Sequence, residues 1–350
     1  MEANRKVRDM KRIGVIGSGS FGTALSVLLA DKGYEIRITG RNKEHLHKMS
    51  EERENKKYLP GVIFPDNIYF FDDTEEALKN TDLVMFAVPA QAFGKTLEST
   101  LPYIPKDAVV VNVAKGIERG TLRTMSQVAK AIAPDLKYVA LSGPSHAEEV
   151  GNGLPTTVAV ASEDMELSEF VQEIYMTDRF RVYTNKDLIG VELAGALKNI
   201  MALGAGISDG LGFGDNAKAA MMTRGIAEIA RLGISMGAEE RTFAGLAGIG
   251  DLIVTCTSMH SRNRRCGILI GQGMNPEEAV EKIGMVVEGM YTCEAAYALA
   301  EKMNVEMPIT ESIYRCLNGH INAEEAIDML MGRSPKDEDH EGYKIEQGEN

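Results

Sequence analysis

Tryptophan is absent from this chain of 350 residues, and cysteine is held to four: Cys256, Cys266, Cys293 and Cys316. No two of these form a C-x-x-C pair, and none has histidines at zinc-finger spacing. That excludes a disulfide scaffold and a finger-type zinc site, and the four read as reduced thiols of a cytosolic protein. The six histidines stand singly. None pairs with a serine and a carboxylate in a nucleophile motif, and His146, the only one near a proposed strand end, is not assigned as a base. No His, Asp and Glu cluster has ligand spacing, so no metal is expected. Positive charge is also short: 38 Lys and Arg against 51 Asp and Glu give a net charge of −13. That argues against a nucleic-acid partner. No apolar run approaches the ~20 residues of a membrane helix, and Met1 to Arg12 is charged, unlike a signal peptide. The expectation is a cytoplasmic protein with no membrane partner.

What the chain has is ordinary globular composition, 44% hydrophobic and 25% charged, at a length that suits two domains. Its organising stretch is Ile13-Gly14-Val15-Ile16-Gly17-Ser18-Gly19-Ser20-Phe21-Gly22, followed by Thr23 to Ala30. A buried strand, a turn of spacing G-x-G-x-x-G and a helix follow one another. In that order Gly17 allows the sharp turn, Gly19 admits a pyrophosphate without a Cβ in the way, and Gly22 lets the helix pack on the strand. The helix N-terminus then offers N–H groups to phosphates. A dinucleotide site over Gly17 to Gly22 is the reading; a merely structural turn is the alternative.

A second strand over Tyr34 to Arg41 ends where an NAD-selective domain places an acidic residue for the ribose 2′-hydroxyl. Here Gly40-Arg41 stands instead. A guanidinium suits a 2′-phosphate, so the reading is NADPH, or tolerance of NADH as well, against an ordinary surface arginine. Apolar strands ending in small or polar residues follow at Asp82 to Pro89, Val109 to Gly116 and Tyr138 to Ser145, as in a parallel sheet covered on both faces. Thr157 to Ala161 and Phe180 to Thr184 continue the sheet around a helix near Ser168 to Tyr175. Beyond Asp187 the pattern turns helical, with one glycine-rich break expected at Gly204 to Gly214. The fold expected is α/β: a Rossmann dinucleotide-binding domain over 1–188, an all-α substrate domain over 189–334, and an acidic, mobile tail over 335–350.

Lys198 lies in the otherwise apolar helix Ile189 to Ala202. Burial of an ammonium is costly and lowers its pKa toward the range of proton transfer; a snorkelling lysine is the alternative. Lys115 ends an apolar strand beside the expected cofactor crevice, as a functional cation or an edge device. Ser261-Arg262-Asn263-Arg264-Arg265 gathers three arginines at a helix start, a phosphate cradle in an acidic protein or a solvated patch.

Together the Gly17 to Gly22 turn, Ala114-Lys115-Gly116, Ser142-Gly143-Pro144-Ser145, Leu197-Lys198-Asn199-Ile200 and Gly250-Asp251-Leu252 resemble the bacterial NAD(P)-dependent glycerol-3-phosphate dehydrogenases. Ser261 to Arg265, Gly271-Gln272-Gly273 and Val286-Val287-Glu288-Gly289 extend the resemblance over about residues 12–333. It implies interconversion of dihydroxyacetone phosphate and sn-glycerol 3-phosphate with NADPH or NADH, supplying phospholipid synthesis. It implies Lys198 and Lys115 as the catalytic residues, Lys198 as proton donor and acceptor and Lys115 close enough to depress its pKa by like-charge repulsion. Lys115, Gly143, Ser145, Lys198, Asp251, Ser261, Arg262 and Asn263 would surround the substrate. Ser20, Phe21, Arg41, Lys115, Ala147, Arg262, Val286 and Glu288 would join the glycine turn at the cofactor; Ala147, Val286 and Glu288 rest on the resemblance alone. Thr39 and His146 depart from it, standing where an aromatic and a phenylalanine are common. The segment before Lys11 and the acidic tail fall outside it.

Two rivals remain at this level. One is a dehydrogenase of the 6-phosphogluconate or 3-hydroxyacyl-CoA kind; the other is a silent nucleotide-sensing module. A homodimer is expected, since two-fold symmetry is the commonest homo-oligomeric state.

Overall fold

The computed structural model describes residues 11–335. The segment before Lys11 and the expected tail beyond Pro335 lie outside the described residues. Ten strands follow in order: β1 (Arg12–Ile16), β2 (Glu35–Thr39), β3 (Glu54–Asn55), β4 (Leu59–Ile63), β5 (Ile68–Phe71), β6 (Leu83–Phe86), β7 (Val109–Asn112), β8 (Tyr138–Ser142), β9 (Thr156–Ala161) and β10 (Phe180–Asn185). Eight form one sheet in the order β10-β9-β8-β7-β6-β1-β2-β5, while β3 and β4 make a separate antiparallel pair.

Strand β1 lies between β2 and β6, both parallel to it. The chain therefore leaves β1 to one side and returns to the other, which opens a crevice at the carboxyl ends of these strands. Every residue of β6, β7 and β8 is buried, which is why they read as unbroken apolar runs. Their side chains still alternate. Leu83, Met85, Val109 and Val111 join one core, while Val84, Phe86 and Val110 face a second core that continues into the helical part.

The sheet is not parallel throughout. β8 and β9 run antiparallel, Leu141 opposite Val160. Only the five-residue helix Ala147–Gly151 stands between them, and a connection so lightly built turns back beside its strand rather than crossing over to start parallel.

From Leu188 onward the described residues hold helices and no strand. The first of these helices, Leu188–Gly210, corrects two expectations. It is long and apolar enough to cross a membrane, yet nearly all of it is buried inside the protein. Such a helix is apolar all round because neighbours cover every side. It also runs unbroken through Gly204 and Gly206, and only residues 211–214 separate it from the helix Asp215–Ser235. Glycines at these positions serve close packing rather than a break: a Cβ on Gly206 would overlap the Arg264 carbonyl, and one on Gly210 the Ile268 carbonyl.

Candidate active site

Gly17 follows β1 with φ +115, and a Cβ there would collide with the carbonyl of Ala87 at the end of β6. Its N–H donates to the Thr39 carbonyl of β2 at 2.8 Å, so the turn is stitched across the switch point. Gly22 packs the next helix down: its Cβ would stand 2.6 Å from that of Ala87. Gly19 is different, since nothing lies within 4 Å of where its Cβ would be. The protein itself does not need a glycine there; the space is open to an approaching ligand.

Helix Ser20–Asp31, which starts at Gly19, has no side-chain cap and no acidic residue in its first turn. Its leading N–H groups are thus free to bind an anion. Ser18, Ser20 and Phe21 are half-buried at this mouth. These features fit a dinucleotide pyrophosphate. Asn55, fully buried, donates to the Ser18 carbonyl at 3.0 Å and to Thr23 Oγ1 at 2.9 Å, a support for the loop that the motif alone does not reveal. Arg41 is exposed beyond β2, with no ion pair to another described residue.

At the carboxyl ends of β7 and β8 the structure gathers two lysines on one carboxylate. Lys115 Nζ donates to Asp251 Oδ2 at 2.7 Å and to the Gly143 carbonyl at 3.0 Å. Lys198 Nζ lies 3.1 Å from Asp251 Oδ1 and donates to Thr255 Oγ1 at 2.6 Å. Asp251 is 2% exposed and Lys198 6%. Burial drives the Lys198 pKa down to about 8; Asp251 opposes the fall and the charge of Lys115 adds to it. The snorkelling alternative does not hold, because the ammonium stays inside the protein wall.

Gly143 holds φ +137, with its Cβ position 2.9 Å from Val158 Cα, so only glycine lets this carbonyl turn toward Lys115. Ser145 Oγ donates to the same carbonyl at 2.9 Å. Lys115 Nζ also stands 6.0 Å from the Phe21 ring, which joins the lysine pair to the glycine-loop helix.

The arginine cluster divides. Ser261 caps helix Arg262–Gly271 by accepting from the Arg264 N–H at 3.2 Å. Asn263 is buried with its amide engaged, donating to Asn199 Oδ1 at 2.9 Å and accepting from the Gly289 N–H at 2.8 Å. Burial lowers the Arg262 pKa, opposed by the charges of Glu288 and Glu148, whereas Arg264 pairs with Asp209 at 2.7 Å. The reading of three arginines in one phosphate cradle is therefore corrected: Arg264 is held by a carboxylate.

Glu288 accepts from the Ala90 N–H at 3.1 Å, while its second oxygen is buried without a partner, as is Thr292 Oγ1. Burial raises the Glu288 pKa, opposed by the Ala90 N–H and by Arg262. An orphaned acceptor beside Gly116, whose Cβ would stand 3.6 Å away, fits a polar group of a bound cofactor. Ala147 is buried at the start of its short helix, packed toward the glycine-loop helix, and Val286 is 37% exposed.

Thr255, Asn199 and Asn55 were missed from the sequence. Thr255 follows Asp251 by four residues, a spacing that puts both on one helical face, and so carried a usable signal. His146 lies 5.7 Å from the His260 ring and 3.4 Å from the Val254 carbonyl. Burial first, then the charge of Lys198, lowers its pKa.

A dinucleotide crevice at a sheet's switch point, walled by a helical part that offers a buried lysine, is the arrangement of an NAD(P)-dependent dehydrogenase. The comparisons narrow the class. Family models of the NAD-dependent glycerol-3-phosphate dehydrogenase N-terminus and C-terminus match residues 12–168 and 187–328. A glycerol-3-phosphate dehydrogenase [NAD(P)+] of Clostridium tetani is 50% identical over 97% of both chains. One from Pelotomaculum thermopropionicum is 55% identical over 92% of this chain and 93% of its own. The crystal structure of glycerol-3-phosphate dehydrogenase from Coxiella burnetii superposes with a TM-score of 0.88 at 38% identity, covering 93% of this chain and 99% of that one. The chain belongs to the NAD-dependent glycerol-3-phosphate dehydrogenase family and is an NAD(P)-dependent enzyme.

Proposed function

We propose that this chain interconverts dihydroxyacetone phosphate and sn-glycerol 3-phosphate, using NADPH or NADH, and so supplies the glycerol phosphate of phospholipid synthesis. The observation that carries the reading is the Lys115–Asp251–Lys198 cluster beside the glycine-loop crevice. Family membership carries the substrate. The sheet-bearing part to about residue 188 takes the cofactor, and the helices of 189–334 supply most of the substrate contacts.

Gly17, Ser18, Gly19, Ser20, Phe21, Gly22, Arg41, Lys115, Ala147, Arg262, Val286 and Glu288 are assigned to the cofactor. When bound, NAD(P)H supplies the hydride that reduces the ketone carbon. The protein's own work is charge and proton management. Lys198, held at its amine by Asp251 and Thr255, stabilises the negative charge growing on the carbonyl oxygen and then delivers a proton to it. Its pKa of about 8 lets it give that proton in reduction and take one back in oxidation. Asp251 keeps two ammonium groups close enough to face one small substrate. Arg262 and Asn263 hold the phosphate, with Lys115, Gly143, Ser145, Asp251 and Ser261 around the rest of the substrate, so binding energy from the unreactive part orients the reacting carbon.

The test is spectrophotometric: loss of NADPH and of NADH with dihydroxyacetone phosphate, beside 6-phosphogluconate and a 3-hydroxyacyl-CoA in the oxidative direction. Turnover of the three-carbon phosphate alone supports the reading. Turnover of another substrate, or cofactor binding without turnover, overturns it. A homodimer in the cytoplasm completes the proposal. All four cysteines are free and buried, which suits a reducing compartment, and light scattering at assay concentration tests the dimer.

A further inference from the structure

Three helices supply the polar groups around the lysine pair: Leu188–Gly210 with Lys198 and Asn199, Asp251–Thr257 with Asp251 and Thr255, and Arg262–Gly271 with Arg262 and Asn263. One guanidinium touches all three. Arg264 Nε and Nη2 meet Asp209 Oδ2 at 2.8 and 2.7 Å, one residue before the end of the first helix. Its Nη1 donates to the carbonyl of Thr257 at 2.8 Å, on the last residue of the second. Arg264 itself belongs to the first turn of the third.

The ion pair is partly dry, with the Arg264 side chain 12% exposed and Asp209 14%. Lys218 Nζ balances the other carboxylate oxygen at 2.8 Å. Around the clamp the first and third helices meet at backbone distance. Cβ atoms on Gly206 and Gly210 would overlap the carbonyls of Arg264 and Ile268; on Gly267 and Gly271 they would overlap those of Leu203 and Ile207. Contacts so close set the spacing of the two helices, and polar ties fix the groups they present: the Asn263–Asn199 bond at 2.9 Å near the lysine pair, and the Arg264–Asp209 pair toward the far end of the first helix.

We propose that Arg264 is a positioning residue of the active site, a strut that fixes Asp251 and the Ser261–Asn263 turn relative to Lys198 by tying Asp209 to the Thr257 carbonyl. It touches neither substrate nor cofactor. It satisfies the C-terminal carbonyl of the helix that presents Asp251 and Thr255, where a cation is favoured by the helix dipole. It also anchors that helix to the one carrying Lys198. A displacement of about 1 Å in such a constellation is enough to cost about 100-fold in rate, so a clamp away from the reacting atoms is read in catalysis as well as in stability.

The inference rests on the dehydrogenase reading, which wild-type turnover of dihydroxyacetone phosphate tests separately. The experiment compares wild type, Arg264→Ala, Arg264→Lys and Lys218→Met as full-length proteins, by NADPH affinity from fluorescence titration and by the pH dependence of kcat/KM for dihydroxyacetone phosphate. Charged or titratable groups facing Lys198 are Asp251, Lys115, Cys256 and His146. Of these Asp251 supports the protonated amine most, so loosening it moves the alkaline limb of the reductive profile to lower pH.

Arg264→Ala is expected to lose about 10- to 100-fold in kcat/KM, shift that limb downward and keep NADPH affinity within about two-fold. Arg264→Lys, which keeps a charge for Asp209 but cannot reach Thr257 at the same time, falls between. Lys218→Met leaves the limb in place. Should Arg264→Ala fail to fold, the limb position in Arg264→Lys decides. An unmoved limb with full kcat/KM in the folded arginine variants overturns the proposal, as does a loss confined to NADPH affinity.

Discussion

At the residue scale the proposed chemistry turns on the environment of one amine. Lys198 was legible in the sequence as a cation in an apolar helix. That Asp251 lies between it and Lys115 was not, because the three residues are far apart in the chain and only the fold brings them together. The structure gives Lys198 a pKa of about 8, below its ordinary 10.5. With Lys198 as the proposed proton donor and acceptor, reduction uses the protonated amine, so its rate should fall as pH rises through about 8; oxidation uses the neutral amine, so its rate should climb over the same window. Initial rates in both directions from pH 6.5 to 9.5 check the opposed signs, and parallel profiles contradict them. Arg41 makes a second residue-scale case. Exposed and unpaired among the described residues, it is free to meet a 2′-phosphate, and Arg41→Ala should raise KM for NADPH about ten-fold or more while moving that for NADH far less. Equal changes return it to an ordinary surface role.

At the element scale, glycines decide geometry. The G-x-G-x-x-G spacing was readable because each position has its own steric reason, and the structure separates those reasons: Gly17 for φ and the Ala87 carbonyl, Gly22 for packing, Gly19 for open space. The glycines of Gly204 to Gly214 misled, because composition alone does not distinguish a helix break from a helix–helix contact; only the partner glycines 267 and 271 resolve it. Gly267→Ala would press a methyl into the Leu203 carbonyl. It should destabilise the protein by about 1–3 kcal/mol, seen as a lower midpoint in urea unfolding. An unchanged midpoint would mean that the two helices are not in such close contact. The strands showed through as unbroken apolar runs, but the antiparallel join of β8 and β9 did not, since direction is set by the connection rather than by the strand.

At the scale of the whole molecule, two cores share one sheet, and buried carboxylates tie the helical part together. Glu228 is 2% exposed and takes the N–H groups of Ile309 and Thr310 at the start of helix Pro308–Leu317, at 2.6 and 3.2 Å. Burial raises its pKa from 4.5 to about 7 against those bonds. The folded state thus holds a proton that the unfolded chain has released between these values, and this group's contribution to stability declines as pH rises across them. Glu228→Gln should flatten the dependence of Tm on pH between about 4.5 and 7; parallel curves for the two proteins would remove Glu228 as the cause. No sequence pattern announced this residue, because a glutamate in the polar-looking helix Asp215–Ser235 reads as solvated until the partner helix covers it.

In the proposed mechanism the buried amine of Lys198 handles the substrate proton beside a cofactor it does not help to bind. The most direct measurement is turnover of dihydroxyacetone phosphate by Lys198→Ala at pH 7, with NADPH affinity titrated on the same preparation. A fall in kcat of about 1,000-fold or more is expected, with NADPH affinity kept within about two-fold. Turnover within ten-fold of wild type would contradict it.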